Sequence, residues 1–295
     1  MKRFLLLCGC VAGGCLLLGG LLLGGLTIAG GSGVIEDALQ STKGHKIDLS
    51  DLEQDMAGLT ENFDAFIKKK DKTIITKEEL DEGSFQKTEL QSGYKKMKLT
   101  IGACTFTVKS SGDKTFYLEA KNMGKLSIDQ DGSTLEIATE ENLDIEDFQE
   151  KRELVLYVPE KVTFDEVELK FGAGEVVFDS LSAEKFKAEI GAGHILVNNG
   201  EVEKVELSVG AGAVEYYGSI QEKMEADCSM GSIYAELQGK EEEFDYDLEC
   251  SMGNIAINGQ DYAFDRKVDN HAQKKMKLSC VMGSVEVLFS ERNTL

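Results

Sequence analysis

A glycine recurs through the second half of the chain at a nearly fixed interval, and the residues around it alternate in polarity. Aligned on the second glycine of a short motif, the positions are Gly174, Gly193, Gly212, Gly231, Gly253 and Gly283, at spacings of 19, 19, 19, 22 and 30. Apolar or small side chains lie seven, five, three and one residues before each glycine, and two and four residues after it. Around Gly193 these are Phe186, Ala188, Ile190 and Ala192, then Ile195 and Val197. Period-two alternation marks a strand with one buried face. The phase slips by one at the glycine, so the chain must bend or bulge there, which is what glycine permits. A unit of 19 residues cannot bury its own apolar row, but stacked copies can. The pattern predicts an all-β fold, a parallel β-solenoid with coils of ~19 residues and rungs about 4.8 Å apart. One proline, no tryptophan and 31 glycines in 295 residues fit such a repeat.

An earlier turn repeats the same phase. Met97, Leu99, Ile101 and Ala103, then Phe106 and Val108, flank Cys104 in the glycine position. The stretches 115–120, 125–128, 134–138 and 153–158 alternate less regularly, and Asp131-Gly132 reads as a turn between two of them. The later cysteines fall in one column. Three before the glycine the series is Phe171, Ile190, Val209, Cys228, Cys250 and Cys280; one before it, Ala173, Ala192, Ala211, Met230, Met252 and Met282. Where the first column shrinks to Cys the second grows to Met, the behaviour expected of a core that keeps its volume. Core filling is therefore the reading of the Cys-Ser-Met-Gly and Cys-Val-Met-Gly runs. The alternative is a disulfide or soft-metal ladder on neighbouring rungs; thiolates buried among Met and Ile are poor ligands and weak nucleophiles.

These motifs also resemble a known family. Gly-Ala-Gly at 172–174, 191–193 and 210–212, Ser-Met-Gly at 229–231 and 251–253, and the closing stretch from Asp269 to Ser284 are similar to bacterial β-strand-repeat domains of unknown function grouped as candidate adhesins. The similarity covers roughly residues 94–289. It implies a cell-envelope location, a Gram-positive source, a preceding single-pass anchor, and a role in envelope-stress signalling or adhesion. It brings no catalytic residues.

Three segments follow: a transmembrane anchor at 1–35, a juxtamembrane helical stalk at 36–93 and the solenoid at 94–295. The anchor rests on the uncharged run from Phe4 to Gly31, 28 residues where a bilayer needs about 20. Lys2 and Arg3 precede it, which sets the cytoplasmic side at the N-terminus and places the C-terminal domain outside the cytoplasm. In the stalk, Leu49, Leu52, Met56, Leu59, Phe63 and Phe66 form an amphipathic stripe opened by the Ser50/Glu53 capping box, with a second box at Thr76/Glu79.

Charge narrows the partners. The chain holds 32 Lys+Arg against 53 Asp+Glu, and only Lys2 and Arg3 lie in the first 35 residues, so residues 36–295 carry 30 basic and 53 acidic groups, a net −23. Such a surface repels phosphate backbones, and no nucleic acid is expected. The three histidines, His45, His194 and His271, form no zinc pattern, and no nucleophile elbow, Walker loop or Cys-x-x-Cys occurs. The outward columns Glu168, Lys187, Glu206, Glu225, Asp247, Lys277 and Lys170, Glu189, Ser208, Asp227, Glu249, Ser279 mix signs, as a solvated ladder does. No catalytic residue, cofactor or metal ligand is expected.

Two features are candidates for binding a partner. Three residues after the glycine, the outward column presents Val177, Leu196, Glu215 and Tyr234, an apolar outer strip that needs a cover: the stalk helix or a protein partner. The longest insertion, about 258–275, carries Tyr262, Phe264 and Arg266. The expected function is a membrane-anchored scaffold or interaction protein of the envelope, with a surface adhesin for glycan or a host ligand as the alternative. The anchor is expected to stay uncleaved: the mature protein keeps its first residues and partitions with membranes, checked by mass spectrometry of the mature N-terminus. A lipid-bearing Cys15 or a terminus near Ser32 would refute this.

Overall fold

The computed structural model describes residues 73–75, 84–139 and 151–290. The anchor and the stripe from Leu49 to Phe66 lie outside the described residues, as do both capping boxes. Among the described residues no helix is long and apolar enough to cross a membrane.

Eighteen strands among the described residues join in one sheet system. They are β1 Thr73–Ile75, β2 Gln86–Leu90, β3 Lys96–Ser110, β4 Phe116–Lys121, β5 Leu126–Asp131, β6 Thr134–Thr139, β7 Glu153–Val158, β8 Phe164–Phe178 and β9 Leu181–Ile190. The second half adds β10 His194–Val209, β11 Ala213–Cys228, β12 Ser232–Gln238, β13 Phe244–Cys250, β14 Asn254–Ile257, β15 Gln260–Tyr262, β16 Arg266–Val268, β17 Lys274–Cys280 and β18 Ser284–Ser290. The repeat reads correctly as a parallel solenoid: β3 pairs with β8 with Cys104 opposite Gly174, and β8, β9, β10 and β11 follow in parallel register.

Each coil runs through a pre-glycine strand, a corner and a post-glycine strand. The inward columns close the core. Val167, Phe186, Val205 and Met224, then Val176, Ile195, Val214 and Ile233, are each at most 1% exposed. Burying one such side chain contributes about 1.5–3 kcal/mol. The backbone ladder does not break at the corner: the Gly191 N–H donates to Phe171 O, Gly210 to Ile190 and Ser229 to Val209, all at 2.9 Å. The glycines are required there by close approach. A Cβ at Gly193 would strike the Phe171 ring, and at Gly283 it would lie 2.6 Å from the Cys228 sulfur. Gly174 also holds φ +104°, a conformation side chains oppose.

The coils do not stack in chain order at either end. At the C-terminal end, β17 and β18 pair with β11 and β12 on one side and with β13 and β14 on the other. The last coil is thus inserted between the fourth and the outermost, and Cys280 lies between Cys228 and Cys250. Charge agrees with this order in one column and not in another, where Lys275 comes to lie beside Lys223. Chain order would set Asp247 against Glu225; the insertion puts Lys277 between them. At the N-terminal end, β3 sits between β8 and the pair β6 and β7, which come later in sequence.

Antiparallel strands cover both outermost levels: β5 on β6 and β4 on β7, themselves flanked by β1 and β2, and β15 on β14 with β16 on β13. Strands β1 and β2 fall within 36–93, so that segment supplies sheet caps as well as whatever precedes them. Asp131-Gly132 makes the turn between β5 and β6, as read from sequence.

One expectation fails. The residue before the corner glycine does not enter the core: Ala192 is exposed, and Met252 and Met282 are 51% and 37% exposed. The phase slip falls before that residue, so the chain turns its side chain outward and no volume exchange with the Cys column takes place. The Cys column itself is buried, with free Cys228, Cys280 and Cys250 at 2%, 1% and 7% exposure. In the metal-free native protein these thiols are expected to resist alkylation and to react once unfolded without reductant. Cys250→Ala is expected to cost about 1–2 kcal/mol and Cys250→Asp well beyond that, since it buries an unpaired charge, as denaturant midpoints would register. Cysteines that stay unreactive after unfolding would indicate disulfides instead.

Candidate functional site

The two sheets present different outer chemistry. Outward side chains of the pre-glycine strands form a zipped ladder. Lys96 meets Glu166 at 3.3 Å, Lys185 meets Glu206 at 2.9 Å, Lys223 meets Glu225 at 2.6 Å, and Lys267 meets Asp247 at 2.8 Å. Exposed pairs of this kind are worth roughly 0–1 kcal/mol each, so the ladder fixes register more than stability.

The post-glycine face carries no such zipper. From β8 to the C-terminal cap, the stretches 175–184, 194–203, 213–222, 232–239, 254–265 and 284–290 contain no Lys or Arg. Register places Val177, Leu196, Glu215, Tyr234 and Glu286 side by side along one column. Beside it run Glu175 and His194 on one flank, and Tyr217 and Glu236 on the other. All but Glu175 of these are half-buried.

Glu215 is the hub of the face. Its Oε1 lies 3.2 Å from His194 Nε2, and its Oε2 accepts from the Tyr217 hydroxyl at 2.8 Å. Glu175 stands 3.9 Å from the other His194 nitrogen. The Tyr217 and Tyr234 rings are tilted together at 5.7 Å. Burial pushes both phenols above the usual tyrosine range, and the hydrogen bond to Glu215 raises Tyr217 further. From β8 to the C-terminal cap the face is therefore acidic and aromatic, and among its described residues the cation-forming group is a histidine flanked by two carboxylates.

The sequence-derived candidates divide between two places. Val177, Leu196 and Tyr234 share this face. Tyr262 is half-buried on β15 and packs against the core, with Arg266 stacked over its ring at 5.5 Å, while Phe264 is 82% exposed at the tip between β15 and β16. These three residues form the C-terminal cap. Tyr262 packs partly on the core there. Sequence reasoning missed Tyr217, Glu236, Glu175 and the role of Glu215; the signal available was the absence of Lys and Arg after every corner glycine. His194, read as a solvated histidine, is held between two glutamates. Among the described residues, no group of three or more His, Cys, Asp and Glu is arranged to hold a metal ion.

This capped solenoid matches the family model described as Toastrack DUF4097 over residues 94–261 and again over 160–287. The chain belongs to that family. No curated protein matches it in sequence. Among solved structures it is similar to a candidate cell adhesion protein from Clostridium sporogenes, at 13% identity and TM-score 0.42, covering 70% of this chain and 99% of that one. Candidate adhesins from Parabacteroides distasonis and Bacteroides fragilis are each 14% identical, with TM-scores of 0.35 and 0.33. Both matches cover 70% of this chain, and 96% and 97% of those chains. At these scores the neighbours carry no ligand or activity across.

The raised phenols set an alkaline limit. A group whose folded pKa lies above its unfolded value contributes stability that is complete below the unfolded value, about 10 for tyrosine, and lost as pH rises through the folded one. Tyr216, Tyr217 and Tyr246 are all pushed up, chiefly by burial. Unfolding midpoints are expected to hold through neutral pH and fall from about pH 10 upward. In a phenolate absorbance titration, Glu215→Gln should bring one phenol back toward its usual range; an unchanged curve would remove Glu215 from the account.

Proposed function

We propose that this chain is a non-enzymatic interaction module of the bacterial cell envelope, anchored by its N-terminal apolar run, whose post-glycine face docks a cationic, partly apolar protein segment. One observation supports this above the others: from β8 to the C-terminal cap the post-glycine stretches hold no Lys or Arg, leaving Glu215, Glu236 and Glu286 around Val177, Leu196, Tyr217 and Tyr234. Carboxylates set among half-buried aromatic and aliphatic side chains attract Lys and Arg by charge, and offer ring faces and apolar surface to their stems. A rigid stacked scaffold presents this surface with little ordering cost. A partner of this chemistry suits a sensor-linked scaffold, and so a role in envelope-stress signalling.

The tyrosines support a second reading, adhesion to glycan, because phenol rings stack on sugar faces. The readings separate by salt dependence. The full chain in detergent is expected to bind an amphipathic Lys/Leu peptide and to refuse a Glu/Leu peptide of the same pattern. Affinity should fall with ionic strength and by about tenfold or more in Glu215→Gln/Glu236→Gln/Glu286→Gln. Equal binding by that variant would overturn the cationic-partner reading. Glycan binding that ignores salt and is lost in Tyr217→Ala/Tyr234→Ala would replace it with the adhesin reading.

A further inference from the structure

Three levels of the solenoid differ from the rest at one corner. On the levels that turn at Gly231, Gly283 and Gly253, the inward residue three before the glycine is Cys228, Cys280 or Cys250. The residue one before it is Met230, Met282 or Met252. Elsewhere these columns hold Phe171, Ile190 and Val209 inside, and Ala173, Ala192 and Ala211 at the corner. The inserted last coil makes the three levels consecutive. Cys280 is the register partner of both Cys228 and Cys250. The Met282 N–H donates to Ser229 O and the Met252 N–H to Val281 O, both at 2.7 Å, which stacks the methionines in the same order. A buried column of three thiols thus lies beneath a surface column of three thioethers.

In-register parallel neighbours sit about 4.8 Å apart, within the Cα range a disulfide needs, yet all three thiols are free. The same spacing suits a metal bridge: two metal–thiolate bonds of about 2.3 Å laid in line span about 4.6 Å. A linear site needs two sulfurs, so the lack of any larger metal-binding cluster among the described residues does not bear against it. Nor are the thiols in a wholly apolar setting. Backbone N–H groups border each sulfur: those of Ser284 and Gly231 at Cys228, Asn254 and Gly283 at Cys280, and Gly253 and Ile255 at Cys250. Their polarity favours a thiolate, while the neighbouring thiol and burial push Cys228 up and burial pushes Cys250 up.

We propose that the Cys228–Cys280–Cys250 column binds copper(I) as linear thiolate bridges between adjacent levels, with Met230, Met282 and Met252 as the entry strip. Thiolate and thioether sulfur select soft ions over calcium, and a pair of sulfurs in line suits copper(I), whereas zinc asks for four ligands. At full loading three thiols release three protons and hold two copper(I) ions, leaving one net negative charge facing the six backbone N–H groups. Copper stays copper(I), so no oxidant or reductant is required. Cys280 belongs to both bridges, and the outer two thiols to one each.

The test is anaerobic titration of the full chain with copper(I) against a colorimetric copper(I) chelator. The parent is Cys8→Ala/Cys10→Ala/Cys15→Ala, which removes the N-terminal thiols. This parent is expected to withhold two ions per chain. Cys228→Val and Cys250→Val should each withhold one, and Cys280→Val none. Valine is chosen because Val209 fills the same column on another level. X-ray absorption of the loaded parent should show two sulfur neighbours per copper, a measurement independent of how the variants fold. Met252→Leu/Met282→Leu should slow uptake severalfold at unchanged stoichiometry. Equal stoichiometry in the parent and a folded Cys280→Val, or nitrogen and oxygen neighbours at copper, would overturn the site. Unchanged uptake in the methionine variant would remove the entry strip.

Discussion

Backbone stacking at the corner governs the rest of the molecule. Each coil turns with its backbone lying directly on the level below, and the hydrogen-bond ladder passes through the turn without a gap. That leaves no volume for a side chain at the second glycine, because the inward residue of the neighbouring level already fills it, as the Phe171 ring does beneath Gly193 and the Cys228 sulfur beneath Gly283. The interval between glycines is therefore a physical period: it is the length of chain needed to return to the same corner one level on. In-register columns, a continuous core and two flat outer faces all follow from that return.

A stack of parallel levels ends in open strand edges, which invite association. Both ends here are closed by antiparallel strands, and at both the outermost level is paired to a coil displaced from chain order. The hairpins β5–β6 and β14–β15 reverse the chain along the outermost level before it comes back. At the C-terminal end the returning segment finds its place one level inward, and lysine there separates acids that chain order would have stacked. Edge protection favours this topology, and so does charge in the column of Lys277, though Lys275 then lies beside Lys223.

The two outer faces have separate work. On the pre-glycine sheet, Lys and Glu columns alternate and satisfy one another, so little field is left to attract a partner. Across the corner the acids have no lysine opposite them and share the surface with tyrosine, leucine and valine. The face proposed to bind is the one where the ladder is unbalanced. The corner between the faces is where sulfur collects, thiols inside and thioethers outside, on the three levels that the inserted coil brings together.

Much of this was legible in the residues. Period-two alternation and the glycine interval define the solenoid, its inward columns and the register of β3 on β8, because every inward position repeats at a fixed distance from an unmistakable marker. Val177, Leu196 and Tyr234 fall on one face for the same reason. For the residue before the corner glycine alternation misleads, since it tells which side a residue takes only while the strand stays straight, and at a corner the direction depends on where the bend falls. That Tyr262 packs partly on the core is not legible either, because it lies in an insertion outside the repeat. By itself the sequence determined the coil, the core and the distribution of charge between the two sheets, all properties of spacing along one chain. Tertiary structure alone decided the order of levels at the ends, and with it which cysteines and which charges are neighbours. Pairing between distant strands is a competition among edges of equal register, settled by capping and electrostatics and invisible to any local pattern.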